Sequence, residues 1–181
     1  MNTKRISKFL SLILRHKPEV LPIELDPQGW ADLDEIIEKM QRKGMEVDQS
    51  IIESVVANND KQRFRLDLDN RRIRANQGHS IDIDLALEPS VPPKQLFHGT
   101  ATRFIDSIME KGLIRGSRQH VHLSLDIVTA TKVGSRHGKP TILKVDAETM
   151  HQKGFVFYVS ENRVWLTEHV PVEFLSKADN R

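Results

Sequence analysis

Leu96-Phe97-His98-Gly99-Thr100 and Gln119-His120-Val121-His122-Leu123-Ser124 are short apolar runs that carry histidine and end in small or hydroxylic residues. The pattern fits strand ends at the floor of a polar ligand site. An imidazole can meet a sugar hydroxyl, and backbone exposed beside a glycine can meet an amide, so the two runs together suit a nucleotide. His98, Gly99, Thr100, His122 and Ser124 are the candidate cofactor-binding residues.

A second set of residues is cationic. Arg15-His16, Lys61-x-Arg63 and Arg118, just before the second histidine run, place arginine near histidine with few acids around them. Arginine presents a fixed fork of donors matched to phosphate. The formal net charge is only +2, yet residues 1 to 17 hold five basic and no acidic side chains, and residues 61 to 74 hold six basic against two acidic. Such local clustering suits a compact polyanion site better than general nucleic-acid coating.

Other chemistries lack their residues. Eight histidines are present, but no acid stands at ligand-like spacing beside His120 and His122, and no metal is expected. The absence of cysteine excludes disulfides, thiolate catalysis and sulfur-ligated zinc. Gly-x-Ser-x-Gly, Gly-x-Gly-x-x-Gly and Gly-x-x-x-x-Gly-Lys do not occur, so a nucleotide held here is held without a Rossmann or P-loop fingerprint. With 38% hydrophobic and 29% charged residues in 181, the composition is that of a soluble globular protein. No apolar run approaches the ~20 residues of a membrane span, and Met-Asn-Thr-Lys-Arg does not open a signal peptide, so no membrane association and a cytoplasmic, monomeric protein are expected.

The elements that must position these residues follow from periodicity. From Thr3 as N-cap, Ile6, Phe9, Leu10, Ile13 and Leu14 repeat at helical spacing, and Lys17-Pro18 ends the helix with Arg15 and His16 on its last turn. Asp32-Leu33-Asp34-Glu35 reads as a capping box for a second helix that Gly44 closes, and Asp48 caps a third. The period then changes to two: Phe64, Leu66 and Leu68 alternate with Arg63, Arg65 and Asp67, and Arg72-Ile73-Arg74 returns after a turn at Asp69-Asn70. Three helices and a hairpin are the order of a winged helix, with Lys61, Arg63, Arg65 and Arg74 on its wing. Prolines after Ile81 place a domain boundary near residue 90. Beyond it, a helix closed by Gly112, a helix capped by Ser124, a strand over Thr141 to Val145, and strands at Phe155 to Val159, Val164 to Leu166 and Val172 to Leu175 make a strand-rich α+β half.

Seven segments, in order along nearly the whole chain, resemble those of the RNA 2′-phosphotransferase family. They are Leu14-Arg15-His16-Lys17-Pro18, Gly29-Trp30-Ala31, Asp60-Lys61-Gln62-Arg63-Phe64, Ile73-Arg74-Ala75-Asn76-Gln77-Gly78-His79-Ser80, Leu96-Phe97-His98-Gly99-Thr100, Val121-His122-Leu123-Ser124 and Val164-Trp165-Leu166-Thr167. The resemblance implies a winged-helix RNA-binding lobe over 1–90 and an NAD-binding, ADP-ribosyltransferase-like lobe over 91–181. It implies a reaction known from tRNA splicing, in which an internal RNA 2′-phosphate attacks the nicotinamide-bearing ribose carbon of NAD and expels nicotinamide. The neighbouring ribose 2″-hydroxyl then attacks the phosphate of the RNA 2′-phospho-ADP-ribose, giving 2′-hydroxyl RNA and ADP-ribose 1″,2″-cyclic phosphate.

The family's four essential residues map onto Arg15, His16, Arg63 and Arg118. Lys17, Lys61, Arg65 and Arg74 are assigned to RNA and phosphate binding. Many ADP-ribosyltransferases carry a glutamate on a late strand, and Val164 stands at the corresponding place, where a carboxylate would repel an incoming phosphate dianion. Gln77 and His79 read as junction packing. Two alternatives stay open: an ADP-ribosyltransferase acting on RNA ends or proteins, and a winged-helix regulator with a ligand domain. Against the regulator, the third helix, Gln49 to Asn58, has no Lys or Arg to read a groove.

Overall fold

The computed structural model describes residues 3–178. The chain divides into two compact units, Met1–Ala86 and Leu87–Arg181.

In unit 1, helix α1 (Thr3–Arg15) buries Ile6, Leu10, Ile13 and Leu14 along one stripe. Thr3, expected as its cap, is already helical. Strand β1 (Ala31–Asp32) leads into α2 (Leu33–Arg42), where the Asp32 carboxylate accepts the Glu35 N–H at 2.8 Å. Only that half of the capping box forms, because the Glu35 carboxylate turns to Lys39 Nζ at 2.6 Å. Helix α3 (Gln49–Ala57) starts under Asp48, whose carboxylate accepts the Ile51 N–H. Strands β2 (Phe64–Asp67) and β3 (Arg72–Ala75) form the hairpin, and β1 joins the far side of β3, so the antiparallel order is β1-β3-β2. Register then decides the faces: Phe64, Ile73 and Ala75 enter the helix core, leaving Arg65, Asp67, Arg72 and Arg74 on the reverse face. From Ile81 to Pro93 the alternating sequence forms no strand.

Unit 2 is built on strands β4 (Gln95–Ala101), β5 (Leu113–Ile114), β6 (Val121–Leu123), β7 (Pro140–Asp146), β8 (Phe157–Val159), β9 (Trp165–Thr167), β10 (His169–Val170) and β11 (Leu175–Lys177). Helices α4 (Ile105–Lys111), α5 (Ile127–Gly134) and α6 (Ala147–Gln152) connect them. The antiparallel sheets are β11-β7-β4, β6-β9-β8 and the pair β10-β5. A bridge between Phe97 and Ser124 joins β4 to the end of β6. Leu96, Leu123, Leu143, Val145, Met150 and Phe157 fill the core of this unit.

Two assignments are corrected. The cap of α5 is Asp126, whose carboxylate accepts the Thr129 N–H at 2.7 Å, since the Ser124 backbone is committed to the bridge with Phe97. Val172–Phe174 is a 3-10 turn after Pro171, and the strand begins only at Leu175, because an apolar run this short carries no period.

Candidate active site

In unit 1 the cationic residues stand on two segments tied by a third. Helix α1 ends where the His16 and Lys17 N–H groups both reach the Leu12 carbonyl, so Arg15, His16 and Lys17 sit on the terminal turn. Arg15 and His16 are half-buried and Lys17 is exposed. Ser80 closes this turn twice: its N–H donates to the Arg15 carbonyl at 2.9 Å, and its hydroxyl lies 2.8 Å from His16 Nδ1. At the entry to β2, the Asn76 N–H donates to the Arg63 carbonyl at 2.9 Å and Asn76 Nδ2 to the Gln62 carbonyl at 2.5 Å. That grip holds Arg63 just after the left-handed Gln62, with φ of 40°. Lys61 is exposed on the same loop.

The reverse face of the sheet is organised by Trp30, which is buried. The Asp26 carboxylate accepts the Gln28 and Trp30 N–H groups at 2.9 Å and fixes the loop that carries the indole. Over that ring lie the guanidinium carbons of Arg72 at 4.4 Å, Arg74 at 4.7 Å and Arg65 at 5.9 Å. Arg72 Nε also donates to Asp67 at 2.8 Å. Arg65 and Arg74 face each other across β2 and β3, so like charges share one plank.

His79 sits behind this apparatus, 1% exposed, and neither ring nitrogen has a hydrogen-bond partner among the described residues. Burial, and then the nearby charges of Arg15, His16 and Arg74, push its pKa down to about 4, so it is neutral at pH 7. Gln77, like His79, is buried.

In unit 2 the histidine strands meet. His98 Nδ1 donates to the His122 carbonyl at 3.0 Å, which fixes the tautomer and leaves Nε2 as an acceptor. Burial holds the His98 pKa below its ordinary value, against the opposing pull of that carbonyl. Phe97 exchanges both backbone bonds with Ser124, so strand alternation turns the Gly99 N–H and C=O to the same edge, away from β7. Gly99 has a packing reason as well: a Cβ there would stand 1.6 Å from the Ala130 carbonyl oxygen of α5. Thr100 is buried beside it.

His122, Leu166 and Tyr158 align across β6, β9 and β8, and Ser124 and Val164 each adjoin the end of the Leu123–Trp165 pair. Arg118 Nη1 lies 3.3 Å from His122 Nδ1, which must accept from it. At the other end of this face a cavity of about 350 Å³ opens among Arg115, His120, Phe155, Tyr158 and Glu168. The His120 and Tyr158 rings pack at 5.6 Å, and burial lowers the His120 pKa, aided by Arg115 and opposed by Glu168. Among the described residues, no three His, Asp or Glu side chains gather as a metal site, and no helix is long and apolar enough to cross a membrane.

A family model described as RNA 2′-phosphotransferase, Tpt1 / KptA family, matches residues 1–169. The chain belongs to the RNA 2′-phosphotransferase family, and it is a transferase. It is 53% identical over 176 residues to a probable RNA 2′-phosphotransferase of Hahella chejuensis, covering 97% of this chain and 95% of that protein. The counterpart of Burkholderia lata is 54% identical over 176 residues, covering 97% and 91%. That of Acaryochloris marina is 53% identical over 176 residues, covering 97% of each. Asn76, Ser80, Trp30 and Arg72 stand in segments that the sequence singled out, but they were given no role there. A signal existed in the polar run Asn-Gln-Gly-His-Ser directly after an amphipathic strand, since such a run is buried only when its polar groups hold something.

Proposed function

We propose that this RNA 2′-phosphotransferase uses NAD to remove an internal RNA 2′-phosphate in two steps, with unit 1 as a winged-helix RNA lobe and unit 2 as an ADP-ribosyltransferase-like lobe. The order α1-β1-α2-α3-β2-β3 with sheet β1-β3-β2 supports the first assignment, and two small sheets joined at Phe97 and Ser124 support the second. The observation that carries the reading is the pairing of a neutral, tautomer-fixed His98 with a Gly99 whose N–H and C=O both turn away from β7. His98 Nε2 accepts from a ribose hydroxyl, and the Gly99 N–H and C=O match the acceptor and donor of a carboxamide. Thr100, His122, Ser124 and Val164 complete the NAD face.

When bound, NAD supplies an electrophilic ribose carbon with nicotinamide as leaving group. The nucleophile needs no base: a phosphate monoester with a second pKa of about 6 is largely dianionic at neutral pH. Arg15 and Arg63 orient that phosphate, with Lys17, Lys61, Arg65 and Arg74 holding the adjoining RNA. In the second step the ribose 2″-oxygen bonds to phosphorus, the bond from phosphorus to the RNA 2′-oxygen breaks, and the hydroxyl proton ends on that oxygen. His16 carries this proton, and Arg63 and Arg118 stabilise the charge that gathers on the phosphoryl oxygens.

The test is incubation with NAD and a labelled 2′-phosphorylated oligonucleotide, which should yield nicotinamide, 2′-hydroxyl RNA and the cyclic phosphate. Arg118→Ala should release nicotinamide while a slower-migrating ADP-ribosylated RNA accumulates, because loss of one donor from the second step costs ~3 kcal/mol, about a hundredfold in rate. Equal loss of both steps, with no such species, would refute the role given to Arg118; no NAD consumption by the unaltered protein would refute the NAD reading.

A further inference from the structure

The five residues after β3, Asn76 to Ser80, form a polar strap that buries three of its members, Asn76 at 6%, Gln77 at 9% and His79 at 1% exposure, and leaves Ser80 exposed at its end. Asn76 Oδ1, Gln77 Oε1 and both His79 nitrogens lack hydrogen-bond partners among the described residues. Burying four such atoms costs stability, so folding alone does not account for the choice of these residues. The two ends of the strap do account for it. At one end Asn76 holds the backbone of Gln62 and Arg63; at the other Ser80 holds the Arg15 carbonyl and the His16 ring. Between them Gly78, at φ 88°, supplies a left-handed step that other residues rarely adopt. The strap therefore sets the spacing between the two segments that present Arg15, His16 and Arg63.

We infer that Ser80 is a positioning residue for His16, holding the imidazole in one orientation through both of its protonation states. The inference rests on the proposed role of His16 in proton transfer. A group that carries a proton alternates between imidazolium, which donates from both nitrogens, and imidazole, which donates from one and accepts at the other. A partner that accepts at Nδ1 keeps its bond in both states when Nε2 is the nitrogen that gains and loses the proton. Ser80 Oγ, 2.8 Å from Nδ1, serves so: it accepts from Nδ1–H of the cation and of the neutral ring alike. Its own position is fixed because the Ser80 N–H is tied to the end of α1 at 2.9 Å. Nδ1–H is then held on Ser80, and the proton that His16 carries is the one on Nε2.

Ser80→Ala should fold, since residue 80 is exposed, and it should lower kcat by about tenfold to a hundredfold, the scale of a misplaced catalytic group, with a smaller change in KM for RNA. Ser80→Thr should restore most of kcat. With His16→Ala in place, Ser80→Ala should cost nothing further. The independent readout is the pair of His16 ring 15N shifts in the full-length protein without substrate: Ser80→Ala should move them toward the free tautomer mixture, and Ser80→Thr should leave them. If His16→Ala keeps full activity while the 15N shifts respond to Ser80→Ala, the role of His16 is wrong and the contact stands. If Ser80→Ala leaves kcat and the shifts unchanged, or lowers kcat with the shifts unmoved and no rescue by Thr, the positioning role is overturned.

Discussion

Lowering the pH should destabilise this protein through His79. The side chain is 1% exposed, and its folded pKa of about 4 lies below the ordinary 6.5 because of burial and then the charges of Arg15, His16 and Arg74. Above pH 6.5 the imidazole is neutral folded and unfolded, and it contributes no pH dependence. Between 6.5 and 4 only the unfolded chain binds the proton, so stability falls as the pH falls, by up to about 1.4 kcal/mol per pH unit. Below about 4 the folded protein is protonated too and the loss levels off at ~3 kcal/mol, the free-energy equivalent of the shift from 6.5 to about 4. Carboxylates also titrate there, so the comparison is with His79→Phe, which keeps a ring and removes the titration. Urea unfolding of both proteins from pH 7.5 to 4 should show the unaltered chain losing ~3 kcal/mol more than the variant. Identical pH slopes would refute the reasoning, and would mean that the ring nitrogens find partners or solvent when charged.

Two further substitutions test the packing behind the site. Gly99→Ala puts a methyl group 1.6 Å from the Ala130 carbonyl oxygen and 2.9 Å from the Gly134 nitrogen, so β4 and α5 must part; a loss of at least ~3 kcal/mol in urea unfolding is expected, and a loss under ~1 would show that the contact yields easily. Trp30→Ala removes the plank under Arg65, Arg72 and Arg74 and should cost ~3–5 kcal/mol by the same measurement, with Trp30→Phe keeping most of it.

The elements with many in-register residues were legible in the sequence. The stripe Ile6, Leu10, Ile13 and Leu14, the caps at Asp32 and Asp48, and the alternation from Phe64 to Leu66 each repeat a local rule several times. What escaped the reading was set by distant partners. Strand β1 is two residues long, and β5 exists only because β10 lies beside it. The cap at α5 turned on the same point: Ser124 and Asp126 are both acceptable caps, and the pairing of Ser124 with Phe97, 27 positions away in sequence, left the task to Asp126. At the candidate site, histidines and arginines could be named from the sequence as residue types that suit ribose and phosphate. Their supports, Asn76 and Ser80, act through backbone carbonyls and one ring nitrogen, contacts that no spacing announces.

The division of labour between arginine and histidine has a consequence for the chemistry. His79, His98 and His120 all have lowered pKa values, each chiefly through burial, so none of the three supplies positive charge at neutral pH. The cations are guanidinium and ammonium groups, which keep their charge across the physiological range. A phosphate monoester loses its second proton near pH 6, so between pH 5 and 7 such a substrate changes charge while arginines do not. Under the proposed reaction, attraction to arginine would grow with ionisation of the substrate, favouring the dianion that can attack carbon over the monoanion that attacks poorly. A carboxylate at Val164 would oppose that preference. On the same proposal, neutral imidazoles at His98 and His120 would leave the charge that draws the phosphate to the permanent cations.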